Sequence, residues 1–277
     1  MSYLPALQDT LRLAEEEIFK TYGDRVSFID KAKSLVKFGR RASLASGSFG
    51  TIADLGTGEL HETYLTTNGI DSVNSNNAGD TSLGISYEGH TLSGSDWTFV
   101  TGTATTDGTN GQTRVALSTP VNRISRMRIT SGGAPTGDII FHENGTLTGG
   151  EPNAQTEVHG RIPAGRTQSF KNATSLSSTD YLVILDLYCA LRSGTPAART
   201  ADFNLEISEA SAGVSSPIFQ PRLPDIPLGS DNNLSFDFPV KPYIIVPKNS
   251  DVRQVAKVSG ASVITGGSFG GFLAGVQ

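Results

Sequence analysis

"DYLVILDLYCAL", residues 180–191, is apolar on both of the faces that a β-strand would present. A strand with one wet face alternates apolar and polar residues, so a run without that alternation belongs inside a sheet covered on each side. Short runs on either side repeat the strand signature: "DWTFVTGTAT" (96–105), "QTRVALST" (112–119), "GDIIFHEN" (137–144), "TADFNLEISE" (200–209) and "FPVKPYIIVPKNSDV" (238–252). Turn pairs punctuate them: Asp107-Gly108, Asn110-Gly111, Gly132-Gly133, Asn144-Gly145, Gly149-Gly150, Ser193-Gly194 and Gly266-Gly267. Short strands at that spacing predict a mainly β body, an antiparallel β-sandwich of jelly-roll type, over residues 64–277. One domain is favoured over two, with 210–235 as the best place for a subdivision. In "PVNRISRMRIT" (120–130), Ile124 and Met127 are out of phase for a strand unless a bulge intervenes. Pro239, Pro242 and Pro247 confine "YIIV" (243–246) to a short strand near an edge.

The chain has 277 residues, 31 of them glycine, with 37% hydrophobic and 18% charged residues, which suits many tight turns. A net charge of −5 argues against nucleic acid as a partner, since phosphate binding needs a concentrated basic face. The densest basic run, Arg123, Arg126 and Arg128, splits across a strand: 126 and 128 share a face and 123 does not. The one cysteine, Cys189, has no disulfide partner and reads as a small buried hydrophobe. The first twenty residues carry Asp9 and Glu15 to Glu17 in place of the apolar core of a secretory signal, so synthesis in a cytosol is expected. No stretch has the length and apolarity of a membrane helix.

The N-terminus differs from the body. Leu4, Leu7, Leu11, Ala14 and Ile18 recur at steps of three and four, which lines one side of a helix closed by Gly23-Asp24. A second run from Val26 to Phe38, with Phe28, Ile29, Leu35, Val36 and Phe38, reads as a shorter helix stopped by Gly39. Residues 1–39 are thus expected to be a helical arm, and 40–63 an extended linker with spaced apolar residues Leu44, Phe49, Ile52, Leu55 and Leu60. The apolar stripe could dock on its own body, on another chain, or on a membrane; the glutamate run disfavours the last. Docking on another chain is preferred. The anchor contacts are then Leu7, Leu11, Ile18, Phe28, Leu35, Phe38, Phe49 and Ile52, and residues 61–277 should fold without them.

Little points to chemistry. His61, His90, His142 and His159 form no close metal pair, and no H-E-x-x-H, two-cysteine pattern, G-x-S-x-G elbow or P-loop is present. "DSVNSNNAGD" (71–80) and "SDNN" (230–233) offer oxygen ligands, but the first fails the EF-hand register and turn formation explains both. No catalytic residue, metal or cofactor is expected. Three stretches, "SYEGHTLSGSDWTFVTGTATTDGTNGQTRVALSTPVNRISRM" (86–127), "RIPAGRTQSFKNATSLSSTDYLVILDLYCAL" (161–191) and "PVKPYIIVPKNSDVR" with "GSFGGFLAGV" (239–253 and 267–276), resemble a family of accessory structural proteins of tailed bacteriophages. The likeness spans about residues 60–277 and its motifs are architectural. It implies a non-enzymatic virion protein that decorates or cements the capsid exterior or forms a short head fibre, with a major capsid protein or another virion protein as partner and a homo-oligomer, a trimer, as its state. A tail or head-to-tail junction component, or a host-glycan-binding adhesion module using Trp97, Tyr64 or Tyr243, are the alternatives.

Overall fold

The run at 180–191 lies in β13 (Asp180–Ser193), an interior strand of the four-stranded antiparallel sheet β1 (Lys33–Arg41), β19 (Val263–Gly275), β13, β17 (Leu234–Val246). The computed structural model describes residues 4–28, 33–41, 44, 46–193, 199–223, 225–230, 234–260 and 263–276. Leu182, Ile184, Leu187, Cys189 and Leu191 of β13 enter one hydrophobic core, while Tyr181 and Val183 face another on the opposite side. The inward residues change from even to odd numbers because the register slips between Ile184 and Asp186 against both neighbouring strands. A bulge there lets one strand keep its apolar side chains inside despite the shift.

Facing this sheet is a second one in the order β12 (Ala173–Ser175), β18 (Asp251–Val258), β14 (Arg199–Ser208), β15 (Gln220–Pro221). β16 (Ile226–Ser230) also pairs with β14, and β2 (Gly50–Thr51) with β18. Phe203, Leu205, Val252, Ala256 and Phe269 fill the space between the two sheets. A separate sandwich precedes it in the chain. Its sheets are β11 (Val158–Ile162), β8 (Ile139–Glu143), β3 (Ile70–Ser75), β6 (Val115–Val121) and β5 (Asp96–Thr105), β4 (Gly84–Ser93), β7 (Arg123–Ser131). Ile70, Ile85, Tyr87, Met127, Phe141 and Ile162 form its core. A small hairpin of β9 (Leu147–Thr148) and β10 (Glu151–Pro152) completes the strands. The body over 64–277 carries two hydrophobic cores, one drawn from Ile70 to Ile162 and the other mostly from Leu176 to Phe269.

Local details follow the residues. Ile124 and Met127 are both buried because the register between β4 and β7 slips at Glu88/Gly89, which supplies the bulge that their spacing requires. Gly102 sits under the Tyr87 ring, where a Cβ would overlap the phenol. β17 is an edge strand, as its prolines suggest, but it runs from Leu234 to Val246 and is longer than "YIIV". Its partner shifts from Ile184↔Ile244 to Asp186↔Pro239, so Pro242 falls within the irregular stretch of this edge strand.

The N-terminal helix α1 (Leu4–Tyr22) forms as its periodicity predicts and ends where Gly23, at φ 73°, donates its N–H to the Phe19 carbonyl at 3.0 Å. Its stripe packs on the chain's own body. Leu11, Ala14 and Ile18 pack with Val26 and Phe28 on Tyr181, Val183 and Ala274, and Leu7 covers the margin. Polar bonds fix the helix in place: Tyr243 Oη donates to Glu17 Oε2 at 3.0 Å, the Phe28 N–H donates to Glu15, and Asp24 takes Tyr181 Oη and Lys248 Nζ, each at 2.6 Å. The Lys248 and Tyr181 bonds hold the Asp24 carboxyl below its ordinary range.

The second helix expected before Phe38 is replaced by a strand. "KSLVKFGRR" pairs antiparallel with β19 from Lys33↔Leu273 to Arg41↔Thr265, and Lys37, Gly39 and Arg41 alternate inward. Nine residues with valine, phenylalanine and glycine are too weak a helix to compete with a full ladder on an open edge. The segment expected as a linker along a foreign surface lies along its own: Leu44 and Ile52 are core residues, Leu60 packs on them, and Gly50–Thr51 adds to β18. Ile29, Gly194 and residues 231–233 lie outside the described residues.

Two outcomes follow from this packing. Ile18→Ala should cost about 2–5 kcal/mol of unfolding free energy in urea, with Ile18→Val at about 0.5–1.5 kcal/mol. A chain of residues 61–277 lacks α1, β1, β2, Leu44 and Ile52, so it should lose the cooperative thermal transition in calorimetry that the full chain shows. A cooperative transition in the truncated chain would contradict this fold.

Candidate functional site

The two sandwiches meet across a polar seam. Arg123 of β7 reaches Asp251 of β18 at 3.4 Å, with both side chains buried. The guanidinium lies 4.5 Å from the Tyr64 ring centroid and 4.8 Å from that of Trp97, so it is held by two aromatic faces as well as a carboxylate. Asp251 also accepts from Ser211 Oγ at 2.8 Å and from Ser175 Oγ. Arg253 donates to Glu206 at 2.8 Å and to Tyr64 Oη at 3.2 Å while covering the Phe219 ring. Lys171 pairs with Glu62 in the interior and donates to the His159 carbonyl at 3.1 Å. Lys37 of β1 crosses to the Ser125 carbonyl of β7 at 2.5 Å. Asn249, at φ 57°, accepts the Trp97 N–H at 2.9 Å and donates to Asp96 at 2.8 Å. The Arg123–Asp251, Arg253–Tyr64, Lys171–His159, Lys37–Ser125 and Trp97–Asn249 contacts tie one sandwich or its flanking loop to the other, while the Glu206, Ser211 and Ser175 bonds brace Arg253 and Asp251 within the second.

Beside this seam lies an open cleft of about 530 Å³. Arg40 and Arg41 at the end of β1, the loop 53–58, Asp138 ahead of β8, and Arg161 and Pro163 around the end of β11 form its walls. Arg161 is buried and bonds Glu151 at 2.9 and 2.8 Å and Asp138 at 3.4 Å. Arg41 turns inward and donates to the Thr51 and Leu60 carbonyls, each at 3.0 Å. Asp54 is half-buried and its carboxyl is pushed up to about 6, chiefly by burial, against the pull of Arg40.

None of the residues expected as anchors stands free. Leu11, Ile18, Phe28 and Ile52 are buried, and Leu7 and Leu35 are partly buried against the same cores. Phe38 packs edge-on to Phe170, and Lys257 lies over Phe49. Most of the stripe's apolar surface is thus covered within the chain itself. The aromatic candidates for sugar stacking are also engaged: Trp97 is fully buried, Tyr64 lies under Arg123, and Tyr243 bonds the helix.

His142 Nε2 meets Asn74 Oδ1 at 2.8 Å and His159 Nε2 meets Glu143 at 3.2 Å. Among the described residues, no three His, Cys, Asp or Glu side chains are placed to share a metal ion, and no helix is long and apolar enough to cross a membrane. The Asn-rich stretch 71–80 acts as a loop clamp: Asp80 accepts from Ser75, Thr136 and Gly137 at 2.7–2.8 Å, and Asn76 accepts the Asp138 N–H at 2.8 Å. Cys189 is buried, accepts from Gln254 Nε2 at 3.2 Å, and has its thiol pushed up to about 12 by burial. The charged seam joins residues far apart in sequence, which no local pattern links. Its one visible signal was that Arg123 falls out of phase with Arg126 and Arg128, which are exposed while Arg123 is buried.

No family model matches the chain, and no curated protein does. Among solved structures, that of infectious bursal disease virus Gt strain aligns over 92% of this chain and 74% of its own, at 8% identity and a TM-score of 0.22. That of T=1 particles derived from the same virus covers 91% and 71%, at 8% identity and a TM-score of 0.23. Superpositions at this level do not establish a shared fold.

The seam makes stability depend on charge. Arg123→Ala leaves the buried Asp251 without its cation and should cost about 3–5 kcal/mol, whereas Arg126→Ala on the exposed face should stay within about 0.5 kcal/mol. Burial, the largest cause in each case, holds His61 and His90 at about 4, below the ordinary 6.5. The unfolded chain therefore binds more protons between pH 6.5 and 4, and stability falls as pH drops through that window. Asp54 opposes this in part, since its raised value makes stability fall as pH rises from 3.8 to about 6. Lys37, lowered to about 7 from 10.5 by burial, makes stability rise with pH between those values. Urea midpoints at pH 7 and 4.5 should show the acid loss, and His90→Gln should reduce it; an equal loss in the variant would contradict the assignment to His90.

Proposed function

We propose that this chain is a non-enzymatic structural protein of a tailed-bacteriophage virion, seated on the capsid exterior as a decorating or cementing subunit or a short head fibre. The observation that carries the reading is the seam: Arg123 with Asp251, Lys171 with Glu62 and the His159 carbonyl, Arg253 with Tyr64, and Lys37 with the Ser125 carbonyl are committed to the joint between two sandwiches. Charged groups buried in that way stiffen a body that must hold its shape on a particle, and they are not presented to a substrate. The sequence resemblance over residues 60–277 supports the same reading independently.

Attachment then relies on side chains that the fold leaves outside. Phe19 on the flank of α1 is 50% exposed and Val36 on β1 is 64% exposed. Both lie near the chain's N-terminal elements, where the arm was expected to act, but they offer separate contacts and not a continuous stripe. The partner in this reading is a major capsid protein or another virion protein, engaged by a homo-oligomer whose repeated weak contacts add through effective concentration.

Particles purified from a lysate of the phage that encodes the chain provide the test. The chain should be found in the virion by mass spectrometry, and a labelled chain should appear on the capsid exterior in a particle reconstruction. Val36→Asp should lower its copy number per particle without shifting the melting temperature of the free protein. A label at the tail would replace the capsid placement with a tail or junction role, and absence from purified virions would overturn both.

A further inference from the structure

We propose that the cleft between the end of β1 and the start of β8 binds an acidic saccharide, a sugar ring bearing a carboxylate beside free hydroxyls. At about 530 Å³ the cleft falls in the size range of small-ligand sites and admits one or two rings. Three groups in its walls have unmet needs. Arg40 is exposed, and its guanidinium makes no hydrogen bond or ion pair to a described residue. Asp54 is half-buried with a carboxylate that accepts no hydrogen bond from a described residue, although Arg40, Arg41, Asp138 and Arg161 all face it electrostatically. Arg161 is buried with both terminal nitrogens bonded, yet its Nε has no partner.

A ligand that suits these groups must be an anion at one point and a donor at another. A carboxylate matches the planar fork of Arg40. Hydroxyl groups next to it can donate to Asp54 and Asp138, whose ionised carboxylates are acceptors alone. Inorganic phosphate fits poorly: it gives Asp54 few donors and meets two like charges. A neutral sugar leaves Arg40 unmatched, and among the described residues no aromatic ring lines the cleft for it to stack on. The wall is also prepared in advance. The Thr57 N–H donates to Gln155 Oε1 at 2.8 Å, and the Gln155 backbone occupies the place where a Cβ on Gly56 would sit, so the loop 53–58 is held against the first sandwich. The loop that carries Asp54 thus needs little ordering when a ligand arrives.

The assignment is independent of the virion role, because it is read on the free full-length chain. Saturation-transfer NMR titrations would use methyl N-acetylneuraminate glycoside, methyl glucuronide, methyl galactoside and triglycine. At least one acidic sugar should bind in the millimolar range, about tenfold tighter than the galactoside. Arg40→Ala should weaken that binding about tenfold at an unchanged melting temperature, and Arg40→Lys should restore part of it. Asp54→Ala should weaken it as well. Four results would overturn the proposal: no binding of either acidic sugar, equal binding of the galactoside, wild-type affinity in Arg40→Ala, or a preference for triglycine, which would mark a site for peptide termini instead.

Discussion

Covering both faces of β13 is the constraint on which the rest of this structure depends. One face meets a second sheet, which is the ordinary solution for a sandwich. The other face, with Tyr181 and Val183, would be left wet without the helix. Burying Leu11, Ile18 and Phe28 there contributes about 1.5–3 kcal/mol for each side chain before the cost of ordering the segment. The same need explains why β1 adds to β19 directly after the helix. Once α1 is seated, the following residues run along an open sheet edge, and pairing from Lys33 to Arg41 satisfies that edge. The described elements before residue 60, α1, β1 and β2, pack with the strands of the second sandwich.

The seam between sandwiches obeys a different logic. Its charges are far from water, so each depends on a partner, and the loss of one leaves another stranded. Arg123 shows the pattern: a carboxylate on one side and two aromatic faces around it. Such a joint is specific in geometry and resists bending, which suits a particle subunit. The cleft beside it is the converse case, in which Arg40 and Asp54 are near one another and yet unpaired.

Much of the fold was legible in the sequence. The two-sided apolarity of 180–191, the helix over Leu7 to Ile18 with its Gly23 stop, the bulge needed by Ile124 and Met127, and the burial of Cys189 each follow from local pattern. What could not be read was tertiary choice. A stripe of leucines at helical spacing is the same sequence whether it covers its own sheet or a neighbour's. "KSLVKFGRR" has both helical and strand readings, and only the free edge of β19 decides between them. The division into two cores was hidden because the connection from Ile162 to Ala173 carries no charged or proline-rich linker to mark it. The candidate site was legible least of all. Arg40, Asp54, Asp138 and Arg161 come from four separate stretches, and nothing in the spacing between them announces their meeting.

Amide hydrogen exchange of the free monomeric chain tests the central claim most directly, because it reports whether α1 is sheltered without any other protein present. If the stripe rests on β13, amides in the middle of α1 should exchange only with global unfolding, at protection close to that of β13 itself. Exchange of those amides at rates near an unstructured peptide, with β13 still protected, would mean that the helix finds its cover elsewhere.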